Sequence, residues 1–116
     1  MKLQPPEISL IVEQIVKFNH CWKLARRKLG EEHPLAQALR DRKSCLQATL
    51  IREFPNEVEL RLDLVTSSEE PIYGIQFKKK KDIDATFSRN DAAHLPVRVA
   101  SELFSENELT KWVQNE

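Results

Sequence analysis

The chain has 116 residues, and its 18 basic and 18 acidic side chains give a formal net charge of zero. This length is typical of one domain, so we predict a single domain over residues 1–116. The balanced charge argues against a dedicated nucleic-acid-binding domain, which usually has a clear basic excess. Only two glycines are present, which excludes glycine-rich nucleotide-binding loops and favours helices over a many-stranded sandwich.

The beginning of the sequence, MKLQPPEISL, shows no apolar segment followed by a small-residue cleavage site. We therefore expect no secretory signal and a cytoplasmic location. No apolar run approaches the roughly 20 residues that cross a bilayer, so no membrane partner is expected.

Residues 1–55 predict a helical hairpin, because apolar residues recur at alternating steps of three and four. In the first helix this stripe consists of Ile8, Ile11, Ile15, Phe18, Trp22, Ala25 and Leu29, widened by Val12 and Val16. Gly30 suits a helix end, and Pro34 suits the start of the next helix. The second stripe runs to about Glu53 and consists of Leu35, Ala38, Leu39, Leu46 and Leu50. Two long helices with so short a connection must pack antiparallel.

The apolar surface of the first helix is wider than one partner helix can bury. A symmetric dimer would cover it, because both copies then use the same patch in a shared four-helix core. We therefore predict that another protein, or a second copy of the chain, binds an interface formed by Ile8, Val12, Ile15, Val16, Phe18 and Trp22.

The two cysteines, Cys21 and Cys45, lie at similar heights on either side of the hairpin loop and are predicted to face one another. One interpretation is a redox pair or, with His20, part of a metal site. The other is two small thiols that stay free in a reducing compartment. Zinc ligands usually occur in C-x2-C or H-x3-H pairs, and neither spacing occurs here. We expect no metal and no cofactor.

Residues 57–88 have the two-residue period of β-strands. In EVELRLDLV and IYGIQF, apolar and polar side chains alternate, which predicts an antiparallel hairpin with one apolar face. That face consists of Leu60, Leu62, Leu64, Tyr73, Ile75 and Phe77. Ile83, Ala85 and Phe87 alternate again and are compatible with a third strand over residues 83–87.

Residues 91–116 predict two short helices that cap the fold. Apolar residues spaced three apart from Val97 to Leu103 predict the first helix. Ser105 and Glu108 form the capping-box pattern that begins the second. The fold class is therefore α+β: an N-terminal antiparallel helical hairpin, an antiparallel β-hairpin or three-stranded meander, and two short C-terminal helices.

One triplet in the predicted sheet points to catalysis. Asp63, Gln76 and Lys78 are expected on its polar face, with Asp63 nearly opposite Gly74 and one diagonal step from Gln76. An acidic residue followed on the next strand by Q-x-K is loosely similar to the arrangement of PD-(D/E)xK nucleases. That resemblance implies a divalent ion held by acidic or amide oxygens and a lysine that stabilises the attacking water or the phosphate. This sequence lacks the proline before the aspartate and has glutamine in place of the usual glutamate.

A run of four lysines follows the second strand. With two arginines it forms a candidate phosphate-binding patch of Lys78, Lys79, Lys80, Lys81, Arg89 and Arg98. Cations of the hairpin at similar heights extend this surface: Lys23, Arg27, Arg40 and Lys43. No aromatic residue interleaves with the lysines to stack on bases. In the alternative interpretation the lysines protect a sheet edge and pair with Glu57 and Glu59 across the sheet.

We expect a small non-enzymatic adaptor or regulatory protein that acts through protein–protein interaction. Nucleic-acid binding by the run Lys78–Lys81 is the alternative, and the metal-dependent nuclease-like site at Asp63, Gln76 and Lys78 is a third hypothesis. The sequence shows no nucleophile elbow and no glycine-rich phosphate loop, so enzymatic activity is disfavoured.

Overall fold

A computed structural model describes residues 7–63, 71–79, 87 and 92–114 of the chain. Within these residues a helical hairpin, a four-stranded sheet and two short helices pack together. In chain order the elements are α1 (Glu7–Leu29), α2 (Pro34–Glu53), β1 (Val58–Asp63), β2 (Ile72–Phe77), β3 (His94–Pro96), α3 (Val97–Leu103), α4 (Glu106–Trp112) and β4 (Val113–Gln114). The predicted α+β fold is confirmed.

The helical hairpin turns where the sequence predicted. Gly30 follows α1 with a φ of +101°, a left-handed conformation that glycine adopts without steric cost. Its N–H donates to the Arg26 carbonyl over 2.9 Å, which closes the last turn of α1. The connection ends at His33, whose Nδ1 accepts a hydrogen bond from the Leu35 N–H at 3.1 Å. His33 is thus the N-cap of α2, a role that the sequence analysis did not assign.

The inner faces of the two helices differ in polarity. On α1, Val12, Ile15 and Asn19 are fully buried. On α2 the predicted stripe is right only in part, because Leu50 is fully buried and Leu46 packs against the core, whereas Leu35 is half exposed. The buried residues of α2 include three polar ones and are Ala36, Lys43, Ser44, Gln47, Ala48, Leu50 and Ile51.

Gln47 explains why α2 turns a polar side chain inward. Its Nε2 donates to the carbonyls of Ala92 at 3.0 Å and His94 at 2.9 Å. Both donors of the amide are thereby used, and the side chain links α2 to the beginning of β3. A helical stripe identified by apolar residues alone omits such a position.

The strand order of the sheet is β3-β2-β1-β4. β1 and β2 are antiparallel, and three apolar pairs share one face as predicted: Val58 with Phe77, Leu60 with Ile75, and Leu62 with Tyr73. The register differs from the prediction by two residues, since Asp63 lies opposite Ile72 rather than Gly74. Because side chains alternate between faces with a period of two, this shift leaves every side chain on its predicted face.

The third strand is β3, which pairs antiparallel with β2. Of the predicted strand over residues 83–87, all but Phe87 lies outside the described residues, and Phe87 is buried with helical backbone. At the other edge, β4 runs parallel to β1, with Val113 opposite Leu60. Residues 91–116, expected to be helical, therefore also contain two strands. Strands of three and two residues are too short to show an alternating pattern.

The C-terminal helices are linked to the hairpin by one arginine. Ser105 Oγ accepts from the Glu108 N–H at 3.1 Å, and Glu108 Oε1 accepts from the Ser105 N–H at 2.9 Å, which confirms the predicted capping box. Arg52 of α2 donates to the Glu108 carboxylate through Nε at 3.2 Å and Nη2 at 3.1 Å, and Nη2 also donates to the Leu103 carbonyl at 2.8 Å. The Arg52 guanidinium lies 5.0 Å from the centre of the Phe104 ring.

The core lies where the hairpin, the apolar face of the sheet and the C-terminal helices meet. It combines Val12 and Ile15 of α1 with Leu60 of β1 and Leu95 of β3, all fully buried, and with Phe104. Within the described residues, no helix has the length and apolar character needed to cross a membrane.

Candidate functional site

The predicted protein interface coincides in part with the core of a single chain. Val12 and Ile15 are fully buried, and they belong to the same apolar cluster as Leu60 of the sheet. Ile8 and Val16 are partly buried and pack against that cluster. Because Val12 and Ile15 cannot reach a partner unless the fold opens, the expectation of an interface at these two residues is corrected: they help close the core.

The two aromatic members of that interface, Phe18 and Trp22, are half-buried. The Arg26 guanidinium lies 4.4 Å from the centre of the Trp22 ring, and Lys43 Nζ lies 5.1 Å from it. The Arg42 guanidinium lies 6.0 Å from the centre of the Phe18 ring. Cations at these distances are attracted to ring faces. Both rings are therefore engaged by cations of their own chain.

The opposite side of α1 carries the candidate site. Leu24 is 37% exposed, and Cys21, three residues before it, is also exposed. We define the α1 outer face as six exposed residues: Lys17, His20, Cys21, Leu24, Arg27 and Lys28. Their spacings of three and four residues place them on one side of the helix. Leu10, 52% exposed, lies two heptads before Leu24 on the same side, and the exposed Glu13 lies between Leu10 and Lys17.

The charge of the α1 outer face has one sign. Residues 17–28 contain five basic residues and no acidic residue. None of the ion pairs found among the described residues involves Lys17, Arg27 or Lys28. Arg27 and Lys28 lie in the last turn of α1, where cations also offset the negative end of the helix dipole. Lys17 lies about three turns earlier and has no such role.

Cys21 and Cys45 both lie on the outer surface of their helices. Both are free and exposed. Cys21 follows the buried Val12, and Cys45 follows the buried Ala36, in each case by nine residues. Nine residues are about two and a half turns, so each thiol lies on the side of its helix opposite to these buried side chains. Among the described residues, no group of three His, Cys, Asp or Glu side chains could hold a metal ion, and this includes His20 with the cysteines.

The nuclease-like triplet is more widely separated than predicted. Gln76 pairs with Glu59, which is four residues from Asp63 on β1. This separation is about 13 Å along the strand. Lys78 donates through Nζ to the Pro55 carbonyl at 3.2 Å, in the turn that follows α2. The predicted proximity of Asp63 and Gln76 is therefore wrong.

The candidate lysine patch is described only in part. Lys78, Lys79 and Arg98 are exposed. Lys78 and Lys79 line an open cleft of about 410 Å³ together with Asn56 and Glu57. The Lys78 N–H donates to the Glu57 carbonyl at 2.9 Å, so the lysine run begins at a strand end that is tied to the preceding turn. The members outside the described residues are Lys80, Lys81 and Arg89.

Sequence reasoning missed the α1 outer face, although a signal for it was present. Leu10, Lys17 and Leu24 follow one another at seven-residue spacing on the side opposite to the buried stripe. The predicted stripe contained more apolar residues, and a continuous apolar stripe was interpreted as surface available to a partner. The structure places Val12 and Ile15 of this stripe in the core, whereas Leu29 at its end is 48% exposed.

Comparisons of the chain with protein-family models, with curated proteins and with solved structures find no match. The role of the α1 outer face is therefore inferred from its own residues. Its chemistry is that of an exposed apolar centre, Cys21 and Leu24, between cationic ends.

Proposed function

We propose that the chain is a small non-enzymatic adaptor or regulatory protein that binds another protein through the α1 outer face. The observation that carries this proposal is the exposure of Leu24 and Cys21 at the centre of a helix face whose ends are cationic. An apolar centre within a polar rim is the usual anatomy of a protein–protein contact. A cytoplasmic location is part of the proposal and is supported by the sequence alone.

The two sides of α1 support different roles. Val12 and Ile15 on the inner side are fully buried and serve folding. The outer side closes no core, yet it presents Leu10 and Leu24 to solvent. Single exposed leucines are common on protein surfaces. What distinguishes this side is that Leu24 and Cys21 lie between three cations, with no acidic residue from position 17 to position 28. The exposed Glu13 lies on the same side, between Leu10 and this cationic stretch.

Nucleic-acid binding by the lysine patch has less support. Lys78, its first member, donates its side-chain ammonium to the Pro55 carbonyl and its backbone N–H to the Glu57 carbonyl. Both bonds serve the junction between α2 and the sheet. The chain as a whole is also neutral, whereas nucleic-acid-binding domains usually carry a basic excess.

Co-purification with matched variants tests the proposal. The intact chain serves as bait in an extract of its native cells, as wild type, as Leu24→Ser and as Leu62→Ser. Leu62 is a suitable control because it is an exposed leucine, 44% accessible, that lies on β1 rather than on α1. We expect one protein to be retained by the wild type and by Leu62→Ser and to be lost with Leu24→Ser.

Circular dichroism and the Tm must be the same for the three forms, so that loss of retention reports the surface and not the fold. Equal retention by Leu24→Ser contradicts the proposal. A different result would favour the nucleic-acid alternative: the wild type retains nucleic acid that salt releases, and Leu24→Ser loses none of the retained protein.

A further inference from the structure

We propose that the partner segment is an acidic amphipathic α-helix that lies along the α1 outer face, an inference that rests on the proposed function. The structure supplies three constraints on such a partner: the sign of the charge, the length of the face and the apolar character of its centre. Each constraint excludes a different competing occupant.

The charge of the face selects an acidic partner. Lys17 lies at one end, and Arg27 and Lys28 lie at the other, with no ion pair to any of the three among the described residues. Each exposed ion pair adds little affinity. Complementary charge nevertheless decides which partner is accepted, because like charges placed opposite one another are unfavourable.

The same charges disfavour a second copy of the chain on this face. In a two-fold contact one patch serves both copies, so that residue i meets residue j and residue j meets residue i. The midpoint between Lys17 and Lys28 falls between Cys21 and Leu24. An antiparallel pair centred on the apolar residues would therefore place Lys17 of each copy against Lys28 of the other. The self-association expected from the sequence does not extend to this face.

The length and the backbone of the face favour a helix as its occupant. From Lys17 to Lys28 the face is about 16 Å long at 1.5 Å per residue, or about three turns. The backbone N–H and C=O groups inside α1 are hydrogen-bonded to each other, so an extended peptide cannot add to this face as a β-strand. A partner helix can instead oppose the face with side chains at i, i+3, i+4 and i+7, acidic at both ends and apolar between them.

The apolar centre separates a protein partner from nucleic acid. Phosphate oxygens are bound by Arg and Lys, by hydroxyl and amide side chains and by backbone N–H groups. Leu24 offers no donor, and a cysteine thiol is a weak donor. A duplex on this face would cover both side chains without a hydrogen bond in return, whereas leucines of a partner helix would bury them.

Fluorescence anisotropy with defined probes tests the inference. The first probe is a helical peptide of about 15 residues with leucines on one side and glutamates flanking them. The second has serine in place of every leucine, and the third is a DNA duplex of about 12 base pairs. The intact chain is titrated as wild type, as Leu24→Ser, as Lys17→Glu/Arg27→Glu/Lys28→Glu and as Lys79→Glu, a control lysine outside the face.

We expect the leucine–glutamate peptide to bind most tightly. Its Kd should rise at least about tenfold with the triple charge reversal, which turns three attractions into repulsions, and should rise again in about 0.5 M salt. Leu24→Ser should weaken this peptide, and Lys79→Glu should leave its Kd unchanged. Tighter binding of the duplex than of the peptide, or a Kd that the triple reversal does not change, overturns the inference.

The co-purification assay separates failure of this inference from failure of the proposed function. If Leu24→Ser loses the retained protein while the triple reversal keeps it, the face binds a protein that is not acidic. If both variants keep it, the proposed function fails as well. Should the triple variant unfold, the single variant Lys17→Glu replaces it, because Lys17 lies outside the last turn of α1 and does not offset the helix dipole.

Discussion

At the start of α2 the imidazole of His33 occupies a position that Ser, Thr, Asp or Asn fill in most helices. Its Nδ1 accepts the Leu35 N–H, and the first turn of α2 contains no acidic residue. We expect His33→Ala to lower the free energy of unfolding by about 0.5–2 kcal/mol, as loss of an N-cap acceptor usually does. His33→Asp should preserve or raise it, because aspartate both caps and carries the charge that a helix N-terminus favours.

Urea unfolding followed by circular dichroism measures both changes. His20→Ala is the matched control, since His20 is an exposed histidine in the middle of α1 and should shift the free energy by less than about 0.5 kcal/mol. A His33→Ala variant as stable as the wild type would show that the imidazole cap contributes nothing.

Glu108 gives the fold a pH dependence with a definite sign. The hydrogen bonds from the Arg52 guanidinium first, and the Ser105 N–H second, lower the pKa of the Glu108 carboxyl below its ordinary value. A carboxyl with a lowered folded-state pKa adds stability above its unfolded-state pKa, about 4.3 for glutamate. That stability is lost as the pH falls through the lower pKa of the folded state.

We therefore expect the urea midpoint of the wild type to fall as the pH is lowered from about 6 to about 3, and part of that fall to disappear in Glu108→Gln. Arg52→Ala should flatten the same part of the curve, because it removes the principal cause of the shift. Glu102→Gln is the control, an exposed glutamate on the neighbouring α3. Identical pH profiles for the wild type and Glu108→Gln would refute this assignment.

At the scale of elements, Gln47 is the side chain that links α2 to β3. Its amide donates to two backbone carbonyls, those of Ala92 and His94, and the residue is fully buried. We expect Gln47→Leu to lower the free energy of unfolding by about 1–3 kcal/mol, since one buried and one partly buried carbonyl then lose this donor. Leucine keeps a similar volume, so the loss reports the hydrogen bonds more than a cavity.

The matched control for this substitution is Gln37→Leu on the same helix. The Gln37 side chain donates to the exposed Glu32 carboxylate, at 3.5 Å, and its replacement should change the free energy by less than about 0.5 kcal/mol. Amide hydrogen exchange at Ile75, which donates to the Ala93 carbonyl, should also become faster in Gln47→Leu. Equal losses for the two variants would mean that the link to β3 is not what Gln47 contributes.

For the molecule as a whole, the two sides of α1 should respond differently to truncation. Ile15 is fully buried in the shared core, whereas Leu10 is 52% exposed. We expect Ile15→Ala to cost about 2–5 kcal/mol, a large part of the roughly 5–15 kcal/mol that stabilises a typical domain. Leu10→Ala should cost less than about 0.5 kcal/mol. Thermal unfolding distinguishes the two, and comparable losses would mean that α1 is not divided into a folding side and an outer side.

The sequence predicted those features whose causes lie within a few neighbouring residues. Gly30 and Pro34 mark the hairpin turn, and the Ser105–Glu108 pair marks the start of α4. The register of β1 against β2 was missed by two residues, because a shift of two preserves the face of every side chain and so leaves no trace in the pattern. β3 and β4 were missed because they are too short to alternate.

The candidate site was missed for a different reason, since burial depends on partners that are distant in sequence. Ile15 was predicted to be apolar surface available to a partner, but it packs in one cluster with Leu60 of the sheet. Leu24 was assigned to no surface, because it lies outside the predicted stripe. The inward position of Gln47 likewise depends on carbonyls 45 and 47 residues away. The local periodicity of the sequence predicts that α1 has an apolar side. The packed fold is needed to show which side of α1 stays exposed to solvent.

Thiol footprinting can show directly whether a protein binds the α1 outer face. Cys21 lies at the centre of that face, and Cys45 is a second exposed thiol, on the outer side of α2. The wild-type chain therefore contains both the probe and its control. The rates of alkylation by N-ethylmaleimide are measured for each cysteine by mass spectrometry, in buffer and in an extract of the native cells. Other thiols in the extract consume the reagent and slow both sites alike, so the ratio of the Cys21 rate to the Cys45 rate is the quantity compared. We expect this ratio to fall several-fold in the extract; an unchanged or higher ratio would contradict binding at the α1 outer face.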